Sequence, residues 1–219
     1  MLLVKPDWKF TKPVDGLALL KSIETAGRVC YKSEDKITDD SAPEFIRKII
    51  KRGHEAVIEH ESITAWIMCD RGVAHEIVRH RIASYCQEST RYCDYNKGEV
   101  AFVIPPWFGA LEEGVFDVKQ LEEFGDTPLQ AWTQSMLNAE MYYKILREMG
   151  QSPQEARSVL PNSLKAEIVM TMNLREWRHF FKLRTSAGAH PQMREIASQM
   201  LAGFKLEVPV IFDDIESAE

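Results

Sequence analysis

The side chains able to do chemistry are concentrated between positions 79 and 92. The run Arg79-His80-Arg81-Ile82-Ala83-Ser84-Tyr85-Cys86-Gln87-Glu88-Ser89-Thr90-Arg91-Tyr92 sets two guanidiniums and an imidazole side by side, then adds hydroxyls, an amide, an acid, a third arginine and two phenols. Few of these can fill an apolar core. Neighbouring side chains project about 100° apart on a helix and to opposite sides of a strand, so Arg79, His80 and Arg81 serve more than one surface in either element. Arg71 precedes the run, and Arg157, Arg175, Arg178, Arg184 and Arg194 form a second concentration downstream. A guanidinium grips phosphate or carboxylate through two parallel hydrogen bonds and stacks on flat rings. A single surface arginine more often pairs with an acid to little effect. The density of this run is what points to a planar, anionic ligand.

Other chemistries fit the residue pattern less well. Neither G-x-G-x-x-G nor G-x-x-x-x-G-K-[ST] occurs, so a bound nucleotide must be held by side chains rather than by a glycine-lined backbone nest. His54-Glu55 and Glu59-His60 look like fragments of a zinc-protease helix. Two histidines six apart point away from each other on a helix, however, whereas H-E-x-x-H puts them on one face; no metal is expected. Ser89 as a nucleophile would need an adjacent base, for which His80 is nearest in sequence. As a ligand it needs only its hydroxyl, and that is the role assigned. Cys30, Cys69, Cys86 and Cys93 contain no C-x-x-C pair and read as free thiols of a reducing compartment.

The elements that must position these groups announce themselves through caps. Ser41-Ala42-Pro43-Glu44 reads as a capping box opening a helix with Phe45, Ile46, Ile49 and Ile50 on one face and a stop at Gly53. Thr127-Pro128 opens a longer helix with the stripe Leu129, Trp132, Met136, Tyr143 and Leu146, ending at Gly150, and Ser152-Pro153-Gln154-Glu155 opens a short one halted near Pro161. Strands are expected over 62–68, 100–104 and 166–172, the last passing into a helix capped by Asn173, and a final helix from Pro191. Residues 107–126 read as an insertion or long loop, and the acidic end from about residue 213 as a solvated tail. Trp66, Trp132 and Trp177 are expected in the core.

Helices and strands mix without regular alternation, so the fold class is α+β, a single mixed domain over residues 1–219. The 219 residues carry 27 Lys and Arg against 33 Asp and Glu, a formal charge of −6, which disfavours charge-driven binding to nucleic acid or to an anionic membrane. With no apolar run near the roughly 18–20 residues of a membrane span and no secretory h-region, a cytoplasmic location is the default.

The ordered set of motifs resembles the flavin-dependent thymidylate synthases. That family is marked by R-H-R, seven residues, then Ser, which stand here as Arg79-His80-Arg81 and Ser89. The likeness continues through Gly53-His54-Glu55, Glu59-His60, Ser84-Tyr85, Arg91-Tyr92, Ala156-Arg157-Ser158-Val159-Leu160-Pro161, Asn173-Leu174-Arg175, His179-Phe180 and Leu183-Arg184, in the family's order from about residue 28 to 200. The resemblance implies reductive methylation of dUMP to dTMP, with methylenetetrahydrofolate as carbon donor and FAD, reduced by NADPH, as hydride carrier. It also implies a homotetramer with each active site at a junction of subunits.

By position, the resemblance assigns His54, Ala56, Glu59, Arg79, His80, Arg81, Gln87, Asn173, Arg175 and His179 to FAD. It assigns Glu76, Arg79, Gln87, Ser89, Thr90, Arg91, Arg157 and Arg184 to the nucleotide, with Arg184 as the catalytic residue that polarises the uracil ring. Some positions depart from the family pattern: Ala56 stands where a threonine contacts flavin and can offer only backbone, Glu76 where a glutamine often lies, Cys86 where Asn or Ser is common and Gln87 where Glu is frequent. The competing reading is a non-catalytic module that grips nucleotides or nucleic acid with residues 79–91; flavin colour and dUMP-dependent NADPH oxidation separate the two.

Overall fold

The computed structural model describes residues 1–218; Glu219, the last residue of the expected domain, lies outside the described residues. Strands β1 (Leu2–Val4) and β2 (Asp7–Phe10) precede helices α1 (Gly16–Tyr31) and α2 (Ala42–Lys51). Strand β3 (Ser62–Asp70) passes straight into α3 (Arg71–Ile77), followed by β4 (Ser84–Gln87), β5 (Ala101–Val103), β6 (Gly114–Val115) and α4 (Gln120–Phe124). Next come α5 (Pro128–Glu148) and α6 (Pro153–Ala156), then β7 (Lys165–Asn173), which passes straight into α7 (Leu174–Arg184), and finally α8 (Pro191–Glu207). The mixture of helix and sheet agrees with the α+β expectation. β5, β1 and β6 form one sheet in that order, parallel between β1 and β5 and antiparallel between β1 and β6; β2, β3, β7 and β4 form a second.

Two strand-to-helix corners place arginines. β3 alternates, burying Ile63, Ala65, Ile67 and Cys69, and ends where the Asp70 carboxylate accepts the Val73 N–H at 2.8 Å. This N-cap turns the chain into a helix whose first residue is Arg71. β7 buries Ala166, Ile168, Met170 and Met172 and ends in the same way, with Asn173 Oδ1 accepting the Glu176 N–H at 2.9 Å, which sets Arg175 in the first turn of α7.

The chain divides into two compact units. One comprises Met1–Asp7, Ile67–Arg79 and Cys86–Ile168. Its core is Leu3, Val100, Phe102, Ile104, Leu111, Phe116, Leu121, Met136 and Leu164. Residues 107–126 are therefore not a passive loop. They contain β6 and α4 and contribute Leu111, Phe116 and Leu121 to that core, because their apolar positions recur often enough to be buried. The stripe of α5 is also less apolar than its sequence suggests: Glu140 is buried among it, accepting the Val100 N–H at 2.9 Å and pairing with Lys144 one turn on at 2.9 Å.

The other unit comprises Trp8–Trp66, His80–Tyr85 and the residues from Val169 on. Trp177, Phe180 and Phe181 follow the i, i+3, i+4 rule on α7, and Phe204 of α8 packs 4.6 Å from Trp177 and 5.0 Å from Phe181. The indole N–H of Trp177 donates to the Ile63 carbonyl at 3.1 Å, satisfying a polar atom that burial would otherwise penalise. Trp8 lies so close over Gly203 that a Cβ there would stand 2.3 Å from its ring.

Two local expectations are corrected in this unit. Ser41 makes no side-chain cap on α2; its hydroxyl donates instead to the fully buried Glu24 at 2.7 Å, which needs donors more than the exposed helix end does. The acidic end is not a free solvated tail either. Asp214 forms a two-pronged pair with the buried Arg178 at 2.6 and 2.8 Å, Ile215 is buried, and the Ala218 N–H donates to Thr185. Arg178, which also pairs with Glu55 at 3.2 Å, is desolvated by α7 packing and draws the acid to itself.

Candidate active site

His80 is the most constrained member of the motif. It is 6% exposed, whereas Arg79 and Arg81 on either side are open to solvent. Its ring stands edge-on to Phe180 at 5.0 Å and to His179 at 5.8 Å, and its Nε2 accepts a hydrogen bond from Arg184 Nε at 2.9 Å. Burial first, then the neighbouring Arg184 and His179, push its pKa down to about 4. The imidazole is thus neutral near pH 7, and because Nε2 is an acceptor the proton sits on Nδ1. The His80 carbonyl accepts from the Tyr85 hydroxyl at 2.7 Å. Burial, followed by Glu176, raises the Tyr85 pKa to about 12, so this phenol remains a donor. Phe180 and Arg184 lie one turn apart on α7 and reach His80 from the same helix face.

The rest of this unit's assigned residues are more exposed. His54 Nδ1 lies 3.0 Å from the Tyr31 hydroxyl, Arg175 pairs with Glu59, and Ala56 and Arg81 face solvent. Asn173 spends its carbonyl oxygen on the α7 cap, so its amide nitrogen is the side-chain donor not used by that cap.

In the other unit, Thr90 is the buried centre, 5% exposed. Arg157 Nη1 donates to its hydroxyl at 3.0 Å and Arg71 Nη1 at 3.2 Å. The short helix expected to open at Ser152 forms, and a capping box between Ser152 and Glu155 winds the single turn of α6 that delivers Arg157. Ser89 starts a turn: its carbonyl accepts from the Tyr92 and Cys93 N–H groups at 3.0 and 2.9 Å, and its hydroxyl from the Arg91 N–H at 3.3 Å. Glu88 braces this turn. Its backbone N–H donates to Glu167 at 2.8 Å, and its carboxylate takes the Tyr95 hydroxyl at 2.8 Å and Lys165 at 2.9 Å. Burial opposes the Lys165 charge, but Glu167 and Glu88 outweigh it and hold the pKa above its ordinary value. Arg91 is exposed, its guanidinium 5.4 Å over the Tyr92 ring. Glu76 lies in the last turn of α3 and Arg79 in the turn that follows it, where the Arg79 N–H donates to the Glu76 carbonyl at 3.2 Å, and Gln87 closes β4, exposed.

A sequence model of a family described as thymidylate synthase complementing protein matches residues 18–210. The flavin-dependent thymidylate synthase of Mycobacterium marinum is 34% identical over 98% of this chain and 86% of its own length, and that of Mycobacterium tuberculosis strain H37Rv is 35% identical with the same coverage. The chain belongs to the flavin-dependent thymidylate synthase family. The matched span of this synthase-family chain takes in every residue assigned above, from His54 to Arg184. Its fold is shared with a solved structure, a UMP/dUMP methylase PolB from Streptomyces cacaoi bound with 5-Br dUMP, at a TM-score of 0.75 and 24% identity over 97% of this chain and 96% of that one.

Within the family frame, the geometry gathers the assigned residues into small groups: His80, His179 and Arg184; Glu59 with Arg175; and Thr90 with Arg157. Arg71 and Tyr31, which hydrogen-bond to the assigned Thr90 and His54, lie outside the assignments. Arg71 belongs to the arginine concentration but falls outside the quoted motif. Tyr31 is 23 residues from its partner His54, with no spacing rule to link them. No helix among the described residues is long and apolar enough to cross a membrane.

Proposed function

We propose that this chain methylates dUMP at C5 to give dTMP. The family membership and the intact R-H-R…Ser run support the reading, and the observation that carries it is the Arg184–His80 contact. C5 of uracil is a weak carbon nucleophile, and charge driven toward O4, N3 and O2 must meet fixed donors in a water-poor site. Arg184 supplies a permanent cation without proton transfer. Neutral His80 accepts at Nε, orients the guanidinium, and adds no negative charge that would blunt its pull on the ring. His80 thus acts through Arg184 as a positioning residue. Ser89, Thr90, Arg91 and Arg157 hold the 5′-phosphate, with Glu76, Arg79 and Gln87 completing the nucleotide set. Phosphate binding contributes remote energy that fixes the ring.

The cationic and N–H donors of His54, Arg79, His80, Arg81, Asn173, Arg175 and His179 suit an anionic diphosphate and the polar edge of a flavin, so these residues, with Glu59, Gln87 and the backbone at Ala56, would hold FAD. When bound, FAD supplies the hydride after reduction by NADPH, and methylenetetrahydrofolate supplies the carbon. The proposal includes a cytosolic homotetramer whose sites are completed by neighbouring subunits; family membership supports the assembly. The test is direct. The purified protein turns yellow with FAD, oxidises NADPH in a dUMP-responsive manner, and forms dTMP only when folate is added. A protein that binds dUMP yet oxidises no NADPH under any of these conditions would refute the reading and leave a binding module.

A further inference from the structure

We infer that Arg71 is a phosphate-binding residue, forming with Arg157 a two-guanidinium clamp centred on Thr90; this rests on the dUMP reading above. Both guanidiniums donate through Nη1 to one hydroxyl oxygen, at 3.2 and 3.0 Å. That oxygen has two lone pairs, so the pair of arginines saturates it. The two cations are thereby held side by side over a side chain that is 5% exposed, and among the described residues neither has a carboxylate partner, although the chain carries 33 acids. Two converging cations sharing a neutral acceptor repel each other, and an anion that bridges them removes the repulsion.

Each guanidinium has five N–H donors in a planar fork and uses one on Thr90. The remaining donors match the three terminal oxygens of a phosphomonoester, which accepts from two forks at once. Arg71 is also well fixed for the task. Its backbone N–H donates to the Asn162 and Leu164 carbonyls at 2.9 and 3.0 Å, and the Asp70 cap holds the corner from which it projects. Thr90 sits in sequence between Ser89 and Arg91, both assigned to the same phosphate. Arg71 therefore contributes to discrimination between the nucleotide and the nucleoside.

The experiment compares dUMP and deoxyuridine binding by calorimetry on the FAD-loaded protein, wild type against Arg71→Gln, with FAD retention read from the flavin spectrum. The expected result is a loss of dUMP affinity of roughly tenfold to a hundredfold, with deoxyuridine affinity and FAD retention unchanged. Arg71→Lys, which keeps the charge but not the fork, should recover part of the loss, and it carries the same comparison if Arg71→Gln does not fold. Wild-type dUMP affinity in both variants would overturn the assignment, as would an equal loss for deoxyuridine. Loss of FAD with dUMP binding intact would overturn it too, by giving the clamp to the flavin diphosphate. Failure of the wild-type protein to bind dUMP would instead overturn the functional reading itself.

Discussion

Replacing His80 by Gln tests the neutral imidazole that the active-site reading depends on. Gln keeps an oxygen acceptor within reach of Arg184 Nε and removes the titration. In the folded protein His80 protonates at about 4, against about 6.5 in an unfolded chain. The unfolded state therefore takes up the proton first. The stability tied to neutral His80 is complete above pH 6.5, declines as the pH falls, and is exhausted near pH 4, where the folded form protonates as well. At about 1.4 kcal/mol per pH unit, the full interval is worth about 3 kcal/mol, and by pH 5 about 2 kcal/mol is already lost. Urea unfolding of both proteins at pH 7, 6, 5 and 4.5 isolates this component, since the carboxylates titrate alike in each. The wild-type curve should fall toward the variant's by about 2 kcal/mol between pH 7 and 5. A constant gap between the two over that range would refute the buried neutral histidine.

Arg178→Ala should cost about 3 kcal/mol in urea unfolding, since it strands Glu55 and Asp214 and empties a buried site; Asp214→Ala should cost only about 1 kcal/mol, because that carboxylate is half-exposed, and equal costs would contradict the asymmetry. Gly203→Ala drives a methyl into Trp8 and is expected to destabilise by about 1–3 kcal/mol, with the near-ultraviolet tryptophan signal changed; an unaltered melting curve would show that Trp8 moves freely. Arg157→Ala should weaken dUMP binding by about 1.5–3 kcal/mol with kcat little altered, whereas Arg184→Ala should depress kcat at saturating dUMP; the same effect on binding from both would remove the division of roles. Ser89→Ala retains measurable turnover, and complete loss with dUMP still bound would restore Ser89 as a nucleophile.

The elements that sequence pattern located are those whose signals are local. The Asn173 cap, the 3.6-residue stripe of α5 and the strands expected over 62–68 and 166–172 depend on neighbours within a few residues, and each formed there, the strands extending slightly further, to 62–70 and 165–173. Ser41 carried an equally good local signal and failed, because its hydroxyl met Glu24 from another helix. β4, inside the motif itself, was not legible: Ser84-Tyr85-Cys86-Gln87 is a polar stretch with no buried alternation, and becomes a strand only through its partner β7.

The same division runs through the assigned residues. Residue type and order alone showed arginines, a histidine and hydroxyls crowded into one run suited to gripping an anion, and their spacing resembles the flavin-dependent thymidylate synthase motif, since guanidinium chemistry and motif spacing are properties of the chain. Which atom of His80 meets Arg184, that burial holds the ring neutral, that Arg71 joins Arg157 on Thr90, and that the acidic end is held by Arg178 were decided only by tertiary structure. Those facts depend on desolvation and on contacts between residues up to 104 positions apart, and neither quantity is written in any local stretch of sequence.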